Sequence, residues 1–466
     1  MKKAFVLMGV ILLLLSSATQ QIAQPADDTK SPTKPETYMP VVVEDFETMR
    51  AADVSKKTAV MTEQLQLLES RYDLSDSPSK IQMSAGRKPV QQGIRVKLPK
   101  NATWAKLSSM SAQEIRDQEL FPAGFRPLPH VKHATGGMVF PKAQIDQIKN
   151  AEHRDLSRFD TDFDIPDRFT PEYPPPMFLT THPGMDVTDG QVLTIKNYFK
   201  LLKGKITPVQ MEGMRLLLTP FPQQQFNQTD DRKVEEPSLG VSCLDCHVNG
   251  HTNATFHLNP DTRPQQNRFR IETISLRGVF NQQIHGSKRS LRSIEDFTEF
   301  EQRTAYFDGD HVTAAKKGVH LPNRSDQVAM MAQMQSMLDF PPAPKLDVYG
   351  KLISSKATAQ ELKGQELFFG KAKCSVCHPA PFYLDNLMHD LQVQRFYEPK
   401  IISDHYDVAV GPIKTFTLRG IKDSPPYLHD GRLLTLDDTV AFFNIILSLG
   451  LTDEESKAIV AFMTCL

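Results

Sequence analysis

Two clusters in the chain combine thiols with an imidazole at fixed spacing. Cys243, Cys246 and His247 stand in "SCLDCH", and Cys374, Cys377 and His378 stand in "KCSVCH". Three chemistries use such residues. A structural zinc site needs four ligands, so two C-x-x-C pairs could share one metal. A redox dithiol needs the two cysteines alone. Neither explains a histidine directly after each second cysteine. Covalent haem c explains every position: two thiols add to the porphyrin vinyl groups, and the adjacent imidazole supplies an axial nitrogen to iron. Two haems c are therefore expected, with zinc or disulfides as the alternatives. Only Cys465 of the five cysteines lies outside the motifs. His251 and His257 follow the first motif and are read as surface or loop histidines, with His257 also a candidate for the far side of the iron.

The elements that must position these motifs occur twice. "TPVQMEGMRLLL" (Thr207 to Leu218) precedes the first motif and "TAQELKGQELFF" (Thr358 to Phe369) the second. Each reads as a helix capped by threonine. After the motifs, "IETISLRG" (Ile271 to Gly278) matches "IKTFTLRG" (Ile413 to Gly420), and "IHGSKRSLRSIEDFTEF" matches "LHDGRLLTLDDTVAF". This alignment brings His285 near the position of His429 and Glu295 near that of Asp437. Self-similarity of this kind points to duplicated units. The expected fold is mainly α: two cytochrome c-type haem domains related by an internal repeat, residues 196–343 and 344–466, plus an N-terminal Pro-rich accessory region, 24–195. A Gln/Pro/acidic insert, Thr219 to Ser238, precedes the first cysteines. "SAQEIRDQELF" (Ser111 to Phe121) echoes the capped helix without a following cysteine and is read as one more capped helix.

The first 23 residues read as a secretory signal peptide: Lys2 and Lys3, an apolar run from Ala4 to Leu15, then small residues, with cleavage after Ala18 or Ala23. Export to the periplasm follows. A net charge of −1 gives no reason to expect nucleic acid as a partner.

The paired motifs, the two T-x-x-L-R-G segments and "PPYLHDGRLLTLDDTV" together resemble the bacterial dihaem cytochrome c peroxidase and MauG superfamily, over about 270 residues from Lys196 onward. The resemblance implies a peroxidatic first haem on His247 and an electron-transferring second haem on His378. It implies an acid and an amide on the open face of the first haem: Glu295 as base, with Glu299 and Glu301 as alternatives, and Gln283 or Gln282 as the positioning amide, with His285 within reach. A calcium ion between the domains would take Glu272, Ser424 and Pro426. The family places a methionine or tyrosine on the far face of the second haem, where this chain has Phe443; Met388, His389 and Met463 are the substitutes considered. Hydrogen peroxide would be the substrate, a small c-type cytochrome or copper protein the electron donor, and a homodimer the expected assembly. The other readings are a MauG-like oxidase of a protein or organic substrate and a dihaem electron carrier without catalysis.

Overall fold

The N-terminal third is not the loop-like region that its prolines suggest. No proline occurs between Pro40 and Pro78, and that interval holds one helix of 26 residues, α1 (Phe46–Arg71). The computed structural model describes residues 46–128, 138–157, 165–220, 241–258, 270–288, 290–302, 325–402, 405–407 and 411–466. The expected signal peptide and nearly all of the Thr219–Ser238 insert lie outside them.

After α1 come the hairpin β1 (Pro78–Gln82) and β2 (Pro89–Gln91), two short helices α2 (Trp104–Ser109) and α3 (Ala112–Asp117), the short strand β3 (Met138–Val139), and α4 (Lys142–Glu152). The echo at Ser111 is a six-residue helix, α3, closed by a capping box with Glu114. Next follow α5 (Tyr198–Leu202), α6 (Pro208–Leu218), α7 (Cys243–Cys246), β4 (Phe256–Leu258), β5 (Arg270–Glu272), α8 (Ile294–Phe300) and α9 (Ser325–Gln335). The last stretch holds α10 (Ala359–Phe369), β6 (Met388–His389), β7 (Ile401–Ile402), β8 (His405–Tyr406), β9 (Ile413–Lys414), α11 (Leu436–Ile446) and α12 (Asp453–Met463). The fold is mainly α, with twelve α-helices among the described residues and strands of at most five residues.

Both helices that lead into the cysteine motifs start in the same way. Thr207 caps α6 and Thr358 caps α10, each in a capping box that satisfies two of the orphan N–H groups of the first turn. Each then crosses a partner helix at a glycine. A Cβ on Gly213 would lie 2.1 Å from the Met330 carbonyl oxygen of α9, and one on Gly364 would lie 1.9 Å from the Ala458 oxygen of α12. Backbones approach this closely only where no side chain intervenes.

Two apolar cores result. One joins Met177, Leu179, Val187, Leu193, the α6 face and Met331–Leu338, so residues from Met177 onward pack with α6 and α9. The other joins Leu107, Ile115, Phe121 and Phe125 of the N-terminal region to Leu433, Phe442 and Phe462. Phe125 meets Phe442 edge-on at 5.4 Å, an arrangement that suits the aromatic quadrupoles. The N-terminal third is thus part of both cores.

Candidate functional site

Each cysteine motif is a tight turn that ends in a histidine anchored by its inner nitrogen. In the first, His247 Nδ1 donates to the Ile274 carbonyl at 2.8 Å. In the second, His378 Nδ1 donates to the Tyr383 carbonyl at 2.8 Å. A carbonyl accepting from Nδ1 fixes the tautomer and leaves Nε2 as a lone-pair donor, as in metal-ligating histidines. Burial drives His247 down to about 4, against the smaller opposing effect of the Ile274 hydrogen bond, so the imidazole is neutral at pH 7. Burial also lowers His378.

The cysteines are all free thiols. Burial raises Cys246, with Asp245 adding to the effect, and pushes Cys374 up to about 12. Reactive dithiols need the opposite shift. These residues therefore fit covalent attachment of a haem, with His247 and His378 as axial ligands, better than a redox dithiol.

The first motif is enclosed. Asp245, inside the C-x-x-C, is 2% exposed. Arg154 grips both its oxygens at 2.7 and 2.8 Å and also pairs with Glu152 at 2.7 Å. Gln144 and Asn253 donate to the Asp245 carbonyl, Asn253 at 2.9 Å. His251, expected at the surface, is buried instead. Its Nδ1 meets the Ser275 hydroxyl at 2.8 Å and its Nε2 donates to the Asp423 carbonyl at 3.0 Å. Both ring nitrogens are engaged, so neither is free for iron. His257 lies in β4, its backbone opposite Ile271 of β5.

The second motif is open. Val376, at the position matching Asp245, is 72% exposed. A cavity of about 260 Å³ reaches Cys377 and His378 and is also walled by Gln282, Lys414, Phe443 and Met463. Phe443 offers no ligand atom. Met463 is buried on that wall, whereas Met388 is half-buried in β6 opposite Lys414 and is not part of the wall. Cys377, Asp385 and His389 also cluster, with ligand atoms within 4.8 Å of one another.

The expected acid and amide do not converge. Glu295 is exposed in the first turn of α8, whose cap is Ser293 accepting from Asp296 N at 3.0 Å. Gln283 is exposed, its backbone N–H donating to Asn386 at 2.9 Å. Gln282 is buried and bonds Lys414 through its side-chain oxygen. His285 is buried too, and its imidazole is pushed down to about 4 by burial and then by Lys414, with Glu295 and Asp296 acting against them. Glu301 ends α8 as its C-cap, and Glu299 lies within the helix.

The calcium candidates share one wall: Glu272, Ser424 and Pro426 all line the cavity. The Glu272 carboxyl is held well above the usual range by burial, with Arg270 opposing and Asp430 reinforcing the shift. A carboxyl buried in this way ionises readily only with a cation beside it, and its oxygens would suit a hard one.

One detail of the sequence alignment changes. His285 bridges Leu291 and Tyr427 bridges Leu433, each in an antiparallel pair. Glu272 N donates to His429 O at 2.8 Å, and Lys414 N donates to Ser287 O at 2.9 Å. The same residue spacing relates Glu272 to Lys414, His285 to Tyr427, Ser287 to His429 and Ser293 to Thr435. His285 therefore matches Tyr427 rather than His429. The shared H-G and H-D-G letters shift the alignment by two residues.

No protein-family model matches the chain. Among curated proteins, cytochrome-c peroxidase IdrP1 of Denitromonas iodatirespirans is 30% identical where it aligns, over 23% of this chain and 40% of that protein. IdrP2 of the same organism is 29% identical over 26% and 43%. Methylamine utilization protein MauG of Methylorubrum extorquens is 31% identical over 17% of this chain and 23% of that protein. The chain thus spans about two-fifths of the length of the peroxidase relatives it matches. Among solved structures, the diheme peroxidase BthA from Burkholderia thailandensis has a TM-score of 0.39 at 14% identity, covering 64% of this chain and 94% of that one. A MauG-like protein associated with microbial copper homeostasis has a TM-score of 0.38 at 16% identity, covering 63% and 94%. These structural likenesses are too weak to carry an argument.

Proposed function

We propose that this chain belongs with the bacterial dihaem cytochrome c peroxidase and MauG superfamily, whose cofactor is haem c, and that it is an exported peroxidase that reduces hydrogen peroxide to water with two electrons from a small redox protein. The supporting observation is the pair of C-x-x-C-H turns whose histidines each have Nδ1 tied to a backbone carbonyl.

Two haems c would be held by Cys243 and Cys246 with His247, and by Cys374 and Cys377 with His378. Haem iron bound by one histidine supplies an open coordination position for peroxide. The duplicated segments form two haem units, and residues 196–343 and 344–466 carry the first and the second. On the first, an amide, Gln282 or Gln283, would hold the peroxide, and Glu295, which stands exposed at the start of α8, would have to move in to carry a proton between the two peroxide oxygens. The burial of Gln282 beside Lys414 favours Gln282 as the amide. Among the far-side candidates, Met463 has a better claim than Met388, because it lies on the wall that reaches His378. Calcium at Glu272, Ser424 and Pro426 would hold the two units in register. Two of these chains would pair as a homodimer, and the leader 1–23 would direct the protein to the periplasm, where a c-type cytochrome or copper protein donates.

A Glu295→Gln variant should retain both haems and lose roughly 10²–10⁴-fold in peroxide turnover, the range of general acid–base catalysis. Unchanged turnover would remove Glu295 from the reaction. Phe443 on the cavity wall favours one second reading, a MauG-like oxidase of a protein or organic substrate. Product analysis after peroxide addition separates the two, since only the oxidase would leave an oxidised partner.

A further inference from the structure

Glu272 and Lys414 occupy matching places and are of opposite chemical type, one an acid and the other a base. Each is the second residue of an I-x-T-x-x-L-R-G segment, and each donates its backbone N–H across to the loop after the other segment, Glu272 to His429 and Lys414 to Ser287. Both are buried, at 6% and 3% exposure. The matching loop residues are Ser424, beside Glu272 on the cavity wall, and Gln282, bonded to the Lys414 ammonium. Where one copy of the arrangement offers an acid that suits a bound cation, the other supplies a cation from the chain itself.

Burial lowers Lys414 to about 7, and burial is the one influence acting on it among the described residues. Its Nζ also sits 4.9 Å from the centre of the Phe416 ring, a cation–π distance. The charged and titratable groups that act on the neighbouring His285 are Lys414, Glu295 and Asp296. Lys414 Nζ donates to the Gln282 side-chain oxygen, and in its protonated form a lysine amine can only donate, so that form fixes the Gln282 oxygen towards Nζ. The Gln282 amide N–H groups are thereby turned away from Lys414, and among the described residues they have no partner.

We propose that Lys414 is a positioning residue that acts across the two units: its ammonium stands in for a bound metal ion, fixes the Gln282 amide with its N–H groups available as donors, and so holds the Val279–Ser287 loop of the first unit without any metal. This rests on the reading that Gln282 serves the first haem. It also makes the two cross-unit contacts differ in what they need, one a metal ion and the other only the chain.

The test uses the haem-loaded protein with Lys414→Met, Lys414→Arg, Gln282→Leu and the Lys414→Met/Gln282→Leu double variant. The readouts are the electron paramagnetic resonance signal of the first haem, the thermal midpoint and peroxide kcat/KM. Lys414→Met should broaden or split the first haem's signal and lower kcat/KM at least tenfold, and Lys414→Arg should restore most of both. The double variant should be no worse than either single one, because one contact is being removed twice. Stripping calcium from the wild type with a chelator should leave the first haem's signal unchanged. The proposal is overturned if Lys414→Met leaves that signal as in the wild type, if its defect is reversed by added calcium, or if the two single effects simply add. A wild type with no peroxide turnover would refute the peroxidase function instead, while the resonance signal and thermal midpoints would still decide the role of Lys414.

Discussion

The two cysteine motifs share a spacing and differ in their surroundings. Around the first, Asp245 is locked by Arg154 and backed by Gln144 and Asn253, the arginine and the glutamine coming from a segment 91 and 101 residues earlier in the chain. Around the second, Val376 projects to solvent at the matching place. The same residue spacing therefore stands once among buried side chains and once beside an exposed one. An enclosed site excludes water and stray donors from its chemistry. An exposed edge lets a partner protein approach. Burial alone thus suggests the division of labour proposed for the two haems, chemistry at the first and electron uptake at the second.

The comparison can be broken most severely at the cysteines. Replacing Cys243 and Cys246 by alanine should halve the haem content, and replacing Cys374 and Cys377 should do the same, as measured by the pyridine haemochrome spectrum. A pair whose loss leaves the haem content intact would not be an attachment site. Arg154→Met comes next. It strands two buried acids, Asp245 and Glu152, and should cost about 3–5 kcal/mol in denaturant unfolding. Among the described residues no such ion pair is made at Val376, which is exposed, so Val376→Met should change stability little. Gly213→Val and Gly364→Val should each cost about 1–3 kcal/mol, because each new side chain meets a carbonyl oxygen. Clearly unequal losses would mean that the two helix crossings are not equivalent.

The smallest expected effect is the pH dependence of His285. Its folded value is depressed to about 4 from the ordinary histidine value near 6.5. The unfolded chain therefore binds more protons between those values, and stability falls as pH drops from 6.5 towards 4, by up to about 1.4 kcal/mol per unit. His285→Asn should flatten that slope in thermal melts. The matching residue, Tyr427, does not titrate there, since burial holds its phenol well above the usual range.

The capped helices ahead of the cysteine motifs and the α character were legible because both are local: a threonine cap and an apolar run. The contacts that distinguish the two motifs were not. Arg154 and Asp245 are 91 residues apart, and no pattern in the chain links them. α1 was missed because its apolar residues form no single helical stripe and the prolines of neighbouring segments dominated the reading. The repeat was visible as letters, but its alignment at His285 was misjudged. H-G and H-D-G look alike, whereas the backbone pairs His285 with Leu291 and Tyr427 with Leu433. Lys414 stood in full view inside "IKTFTLRG", yet only its burial against Gln282 gives it a role. Glu295 was chosen for its place in the repeat, and its exposure at the start of α8 leaves its role to the kinetic test.

The most direct test is the electron paramagnetic resonance spectrum of the fully oxidised, haem-loaded protein, taken before and after one equivalent of hydrogen peroxide. An enclosed catalytic haem and an electron-transferring partner predict two unlike ferric signals, at least one of them high-spin, and a prompt change on adding peroxide. Two low-spin signals that peroxide leaves untouched would contradict the catalytic assignment and identify an electron carrier.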